Sequence, residues 1–271
     1  MTTSVIISTY NNPKWLERVV WGYQCQSCLD FEMVIADDGS REDTAALVRH
    51  LAANSPFPIR HVWHADEGFR KCAILNKAIS SAEGDYLLIS DGDCIPRKDF
   101  VQVHMDLRKK GHFISGGYCK LPMETSLAIT REDIEEQRPF DPAWLRNNGC
   151  PQVPLKLRAR GGMAKLLNKL TTTLPSWNGH NSSAWKEDIL SVNGFNEDMS
   201  YGGLDRELGE RMVNKGVIPI QARHLAICVH LDHSRGYVKK ELVEQNIALR
   251  RKTRSNGIAW AANGIVKSVK N

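Results

Sequence analysis

The sequence contains no apolar run approaching the roughly 18–20 residues that span a bilayer, so a transmembrane helix is excluded. Its longest early apolar stretch, Val5-Ile6-Ile7, gives way at once to Ser8-Thr9-Tyr10-Asn11-Asn12, so no secretory leader is expected. Glycine and proline are modest, at 20 and 11 in 271 residues, which excludes collagen-like and low-complexity chains. Cysteine is too sparse for a disulfide framework. The seven thiols, at 25, 28, 72, 94, 119, 150 and 228, are odd in number and dispersed, as expected of reduced cysteines in the cytoplasm. Cys25-x-x-Cys28 has no second close pair to complete a zinc site. No internal repeat is present. What remains is the profile of an ordinary globular protein, 42% hydrophobic and 25% charged, long enough for a full core.

Charge of either sign is nearly balanced, at +5 overall, but it is unevenly placed. Between Gln152 and Pro175 stand Lys156, Arg158, Arg160, Lys165 and Lys169 with no acid. Beyond Gly236 seven further bases, from Lys239 and Lys240 through Arg250, Arg251, Lys252 and Arg254 to Lys267, face only Glu241 and Glu244 until Lys270 near the end. The rest of the chain is therefore acidic, and the two kinds of segment are expected to meet different partners. Neither basic segment shows the aromatic interleaving of a nucleic-acid site, so no nucleic acid is expected. Met163–Leu170 and Ile258–Val269 mix apolar residues with bases, which makes an anionic membrane surface a candidate partner.

The first hundred residues alternate strand and helix. Short apolar runs at Ser4–Ser8, Phe31–Ala36, Ile59–Trp63 and Tyr86–Ser90 are separated by helical spacing over Pro13–Gln26, Arg41–Ala53 and Lys71–Ala82. Unalternating apolar strands in such a series predict a mostly parallel sheet with helices on both faces, with ligands beyond the strands' carboxyl ends. Polar clusters sit at all four ends: Ser8–Asn12, Asp37-Asp38, Glu67-Gly68-Phe69-Arg70-Lys71 and Asp91-Gly92-Asp93. Periodicity lapses from Leu121 to Ser176, where Pro122, Pro139, Pro142, Pro151, Pro154 and Pro175 suggest an irregular basic loop or lid. It resumes near Trp177, with a helix from Lys186, another near Leu204, and helices in the basic tail. Asp91 and Asp93, held close by a glycine after a buried strand, have the spacing to share a divalent cation and the oxygens of a nucleotide.

At these residues the chain resembles the family 2 nucleotide-sugar glycosyltransferases of GT-A fold. Val5–Asn12, Val34-Ile-Ala-Asp-Asp-Gly-Ser40, Leu75-Asn-Lys-Ala78 and Asp91-Gly-Asp93 stand in that family's order and spacing. The resemblance runs from about Ser4 to His233. It implies a Rossmann-like GT-A domain over 1–235, with a nucleotide-sugar-binding half at 1–120, the loop or lid at 121–176, an acceptor-side half at 177–235, and a basic helical tail at 236–271. It implies inverting transfer of a hexose or N-acetylhexosamine from a UDP-sugar to a glycan or lipid-linked glycan acceptor in surface-polysaccharide synthesis, with Mn²⁺ or Mg²⁺ as cofactor.

Carried over by residue, Thr9 and Tyr10 correspond to the nucleobase pocket, and Asp38, with Asp37, to the carboxylate facing the uracil imide. Arg70, Lys71 and Asn76 correspond to ribose and diphosphate contacts, Asp91 to the ribose or donor sugar, and Asp93 to the metal. Tyr201-Gly-Gly-Leu-Asp-Arg-Glu207 is similar to the acceptor element of GT-A galactosyltransferases, which includes Gly203, but Leu204 replaces its usual Glu. Asp205 is then the expected general base, with Glu207 behind it. His233 is the expected third metal ligand, with His230 or Asp232 as substitutes. Trp177, Asn178, His180 and Asn181 are expected at the acceptor or donor-sugar pocket, with Trp177 stacking on a sugar. Two rival readings remain. A sugar-nucleotide pyrophosphorylase would want a Gly-rich phosphate loop where Ser-Thr-Tyr-Asn-Asn stands, and a non-catalytic nucleotide-sugar-binding component of a synthase complex would have no need of Asp205.

Overall fold

A computed structural model describes residues 2–234 and 240–267. Eight strands form one sheet: β1 (Thr3–Thr9), β2 (Glu32–Asp37), β3 (Ile59–Trp63), β4 (Tyr86–Asp91), β5 (Cys94–Pro96), β6 (His112–Lys120), β7 (Ser182–Trp185) and β8 (Ile218–His230). Their order is β3-β2-β1-β4-β7-β6-β8-β5. The βα units expected from the first hundred residues supply one parallel part, in which β1 pairs with β2 and β4, and β2 with β3, and β6 runs parallel to β8 in the other half. β7 enters antiparallel between β4 and β6, and β5 pairs antiparallel with the end of β8.

Helices α1 (Pro13–Gln24), α2 (Glu42–Asn54), α3 (Lys71–Ser81) and α4 (Phe100–Leu107) follow the strands as the spacing predicts. Pro13 opens α1 at its first turn, where a missing N–H has no intrahelical partner to lose. Along β1 successive side chains face opposite sides of the sheet: Val5 and Ile7 join Leu16, Val19 and Tyr23 of α1, while Ile6 packs with Ile74 and Leu75 of α3. Each face is thus covered, which is why the strands read as continuous apolar runs.

The segment 121–176 is not the irregular loop that its proline content suggests. It holds five short helices, α5 (Met123–Ala128), α6 (Arg131–Glu135), α7 (Pro142–Asn147), α8 (Leu155–Arg158) and α9 (Gly161–Leu170), and a 3-10 turn at Arg138–Phe140. Most are too short to print a 3.6-residue period, and Pro122, Pro142 and Pro154 mark their starts rather than a break in structure. Helix α10 (Lys186–Leu190) follows β7, and α11 (Leu204–Asn214) carries the acidic pair Asp205 and Glu207.

The basic tail also differs from expectation. Among the described residues it is helical over α12 (Lys240–Ser255), and residues 256–267 cross the turn after α10 without regular structure. Asn193, in the left-handed region at φ 66°, clamps that crossing: its Nδ2 donates to the Ala261 and Val266 carbonyls and its Oδ1 accepts from Val266 N. Arg250 pairs with Glu210 of α11 at 2.6 Å and Lys267 with Glu197 at 2.6 Å. Much of the tail's positive charge is therefore neutralised by the body beneath it. Arg235, Lys239 and Lys270 lie outside the described residues. No described helix is long and apolar enough to cross a membrane.

Helix α11 is anchored by a fully buried ion pair. Arg211 donates to both oxygens of Glu207 and to the carbonyls of Val192 and Gly194, while Thr253 of α12 donates to Glu207. Removing one partner leaves the other charged in the core. Arg211→Met should therefore cost about 3–5 kcal/mol in denaturant unfolding; a loss below about 1 kcal/mol would mean the pair does not hold α11 in place.

Candidate active site

The carboxyl ends of β1, β2 and β4 open on a cavity of about 810 Å³, closed on its far side by the start of α11 and the end of β8. That volume suits a nucleotide-sized ligand. Its floor is an electrostatic cluster. Lys71, at the first position of α3, places its ammonium 2.6 Å from Asp91 Oδ1, which also accepts from Ser8 Oγ at 2.7 Å. Burial pushes the Asp91 carboxyl up, but Lys71 and the Ser8 hydroxyl outweigh it and hold the group down at about 2. Burial likewise works against the Lys71 ammonium, yet Asp91 and Asp205 keep it protonated well beyond the usual range.

Asp205 is the third member. Two glycines in the left-handed region, Gly202 at φ 106° and Gly203 at φ 87°, turn the chain into α11 and present Asp205 to the cavity. A Cβ on Gly179 would meet Asp205 Oδ1 at 2.5 Å, so any larger residue there would displace this carboxylate. Oδ1 is buried and accepts no hydrogen bond among the described residues. Burial raises the Asp205 carboxyl to about 6; Lys71 opposes the rise and Asp91 adds to it. A carboxylate of that basicity in the cavity wall is suited to accept a proton near neutral pH.

Across the cavity, the antiparallel pairing of β5 with β8 sets Cys94 opposite His230 and so brings Asp93 to the two histidines. Asp93 Oδ2 lies 3.0 Å from His233 Nε2 and 3.4 Å from His230 Nε2. His233 Nδ1 lies 2.8 Å from the Ser234 carbonyl. In the neutral ring that contact places the proton on Nδ1 and turns the Nε2 lone pair toward the carboxylate. Two acceptors facing each other at this distance are well suited to a divalent cation between them, and the three ligand atoms lie within 4.8 Å of one another. His230 Nδ1 is buried without a partner among the described residues. Asp232 is instead held by Lys120 at 2.9 Å.

Of the residues singled out from the sequence, Thr9, Tyr10, Asp38, Lys71, Asp91, Asp93, His180, Gly203, Asp205, His230 and His233 line this cavity. Asp38 accepts from Arg70 N at 3.0 Å and bonds His64 Nε2 at 2.7 Å. Burial raises its carboxyl and those two bonds oppose the rise. Tyr10 is half exposed, with its hydroxyl donating to Asp66. Burial lowers His180 to about 4, so its ring is neutral; Ser90 Oγ holds its carbonyl and Tyr118 packs on it with centroids 4.2 Å apart.

Six others do not reach the cavity. Asp37 is fully buried, taken by Ser40 N and His61. The Arg70 guanidinium turns out to Glu67. Asn76 is buried and ties α3 to the turn after α10 through Phe195 and Glu197. Trp177 is not a stacking platform: it is wholly buried between Phe113 and α11, because Gly209 leaves room for it. Asn178 contacts Ser115 and Ser182. Asn181 is also wholly buried, bonded to His104 and to the carbonyls of Gly117 and Ala226. Tyr118, Phe69 and Tyr201 line the cavity without having been assigned a role from the sequence. Tyr118 is the more instructive case: it is exposed within β6 between the buried Gly117 and Cys119, a placement that the local sequence does not announce.

Comparison with known proteins places these features in context. Residues 4–141 match the family model described as Glycosyl transferase family 2. The chain is 26% identical over 227 residues to a chondroitin synthase of Escherichia coli, a match covering 79% of this chain and 32% of that protein. It is 23% identical over 277 residues to the uncharacterized glycosyltransferase YfnE of Bacillus subtilis, covering 92% and 69%. The chain thus spans only about a third of the chondroitin synthase it matches. Among solved structures, the mannosyltransferase PcManGT from Pyrobaculum calidifontis, in complex with GDP-Man and Mn²⁺, superposes with a TM-score of 0.57 at 20% identity, over 93% of this chain and 61% of that one. A glucosyl-3-phosphoglycerate synthase from Mycobacterium tuberculosis, in complex with Mn²⁺, UDP and glucosyl-3-phosphoglycerate, gives 0.57 at 18%, over 94% and 80%.

The raised Asp205 carboxyl has a consequence for stability. A carboxyl near 6 in the fold and near 3.8 when unfolded is no burden below pH 3.8, and it increasingly opposes folding as pH climbs through 6. Asp205→Asn should therefore stabilise the protein at pH 7.5, by on the order of 1–3 kcal/mol, and the gain should vanish near pH 4. Thermal unfolding at both pH values checks this; an equal shift at each would remove the ionised carboxylate as its cause.

Proposed function

The chain belongs to glycosyl transferase family 2 and has the GT-A fold, and on that premise we propose that it transfers a hexose or N-acetylhexosamine from a UDP-sugar to a hydroxyl of a glycan, with Asp205 as the general base. The single observation that carries this reading is Asp205, which lines the cavity near Lys71 and Asp91 with a carboxyl raised to about 6.

In the proposed reaction the acceptor oxygen attacks the anomeric carbon on the face opposite the diphosphate. The new C–O bond forms as the anomeric C–O–P bond breaks, the diphosphate leaves with the bonding pair, and the hydroxyl proton passes to Asp205. Configuration at that carbon inverts. Thr9, Tyr10 and Asp38 line the side assigned to the nucleobase, and Lys71 brings a fixed positive charge to the floor on which the diphosphate would rest. Asp93, His233 and His230 would hold Mn²⁺ or Mg²⁺, which supplies charge stabilisation to the leaving diphosphate. The neutral His180 and the ring of Tyr118 are placed to contact the donor sugar or acceptor. Leu204 caps the acceptor side with an apolar surface, so acceptor recognition rests on other groups of the wall.

A panel of nucleotide sugars with Mn²⁺, scored by UDP release, tests the reading directly. At least one UDP-sugar should turn over, including slow hydrolysis without acceptor, and the rate should fall about tenfold per pH unit below 6 as Asp205 protonates. Asp205→Asn should lower transfer by at least about a hundredfold while leaving UDP binding intact. Retained transfer in that variant, or no turnover of any UDP-sugar, would overturn the assignment.

A further inference from the structure

Helix α9 carries an unusual surface. Only Ala164 of its residues is fully buried. Asn168 fastens the helix to β8, donating to the Gln221 carbonyl at 2.5 Å and accepting from His224 N. On another side, Met163, Leu166 and Leu170 are 50%, 55% and 65% exposed. At 3.6 residues per turn these three fall within an arc of about 60°. Leu174, 84% exposed, extends the ridge beyond the helix.

Positive charge flanks this ridge. Arg158, Lys165 and Lys169 are exposed and make no ion pair among the described residues, and no acid occurs between Gln152 and Pro175. The other basic segment is more fully paired: there Arg250 and Arg254 pair with Glu210 and Lys267 with Glu197, which leaves Arg251 and Lys252. Of the two segments, α9 therefore offers unspent cations beside exposed leucines.

We propose that α9 lies on an anionic phospholipid bilayer, with Met163, Leu166, Leu170 and Leu174 entering the acyl boundary while Arg158, Lys165 and Lys169 contact the headgroups. Two features favour a bilayer over a protein groove. The apolar stripe is a convex ridge on a helix already docked by its opposite side, and the charge around it is of one sign only. That is the pattern of a helix lying in the interface plane, with long basic side chains extended toward the headgroups. Helix α8, immediately before α9, reaches a residue of the cavity wall: its Lys156 sits 5.2 Å above the ring of Tyr118. On the reading of the cavity proposed above, its mouth would face acceptors anchored in the same surface.

Vesicle co-sedimentation of the whole chain tests this. The protein should pellet with phosphatidylcholine vesicles containing phosphatidylglycerol and not with phosphatidylcholine alone. Combined Met163→Ser, Leu166→Ser and Leu170→Ser should abolish pelleting. Combined Lys165→Gln and Lys169→Gln should weaken it by about tenfold or more. All these side chains are at least half exposed or freely solvated, so unchanged thermal midpoints and unchanged UDP binding should accompany the loss. No pelleting of the wild type, equal pelleting of the serine variant, or a wild-type dimer that the serine variant breaks would each overturn the proposal. UDP turnover is measured separately without vesicles, so failure of the bilayer proposal is distinguishable from failure of the catalytic one.

Discussion

One ammonium among three carboxylates organises the cavity. Lys71 emerges from the first turn of α3, meets Asp91 from the end of β4, and lowers the cost of keeping Asp205 of α11 nearby. Without that positive charge, Asp91 and Asp205 would repel across a partly desolvated floor. With it, one carboxylate is held down at about 2 and the other remains near 6. Two acids of one type are thereby divided into a permanent anion and a proton acceptor, the separation of roles that an acid–base site requires.

The second constraint is topological. Asp93 is far in sequence from His230 and His233, and they meet only because β5 reverses to pair with the last residues of β8. A three-residue strand thus fixes the geometry of the candidate cation site. The same edge leads through β8 to α9, which Asn168 fastens to the Gln221 carbonyl and whose outer face is apolar and basic.

Much of this was legible in the sequence, for identifiable reasons. The four apolar runs and their polar endings give the βα order and much of the cavity lining, because strand periodicity and chain direction are local properties. Asp205 and the His230/His233 pair were legible through the motif resemblance. Trp177, Asn76, Asn181 and Asp37 were not read correctly from sequence, because a polar or aromatic residue inside a motif looks the same whether its partner is a ligand or a backbone carbonyl. The short helices of 121–176 were hidden by their length. The docking of the tail was hidden because Asn193, Glu197 and Glu210 lie far from it in sequence.

On the proposed function, the Lys71 and Asp91 floor and the Asp93, His230 and His233 cluster across from it together receive a nucleoside diphosphate and a divalent cation. Calorimetric titration of UDP into the wild-type protein, with Mn²⁺ and then with the metal chelated, tests it most directly. One UDP should bind per chain, with affinity falling by at least about tenfold on chelation. UDP binding that is equally tight without the metal, or absent in both cases, would contradict it.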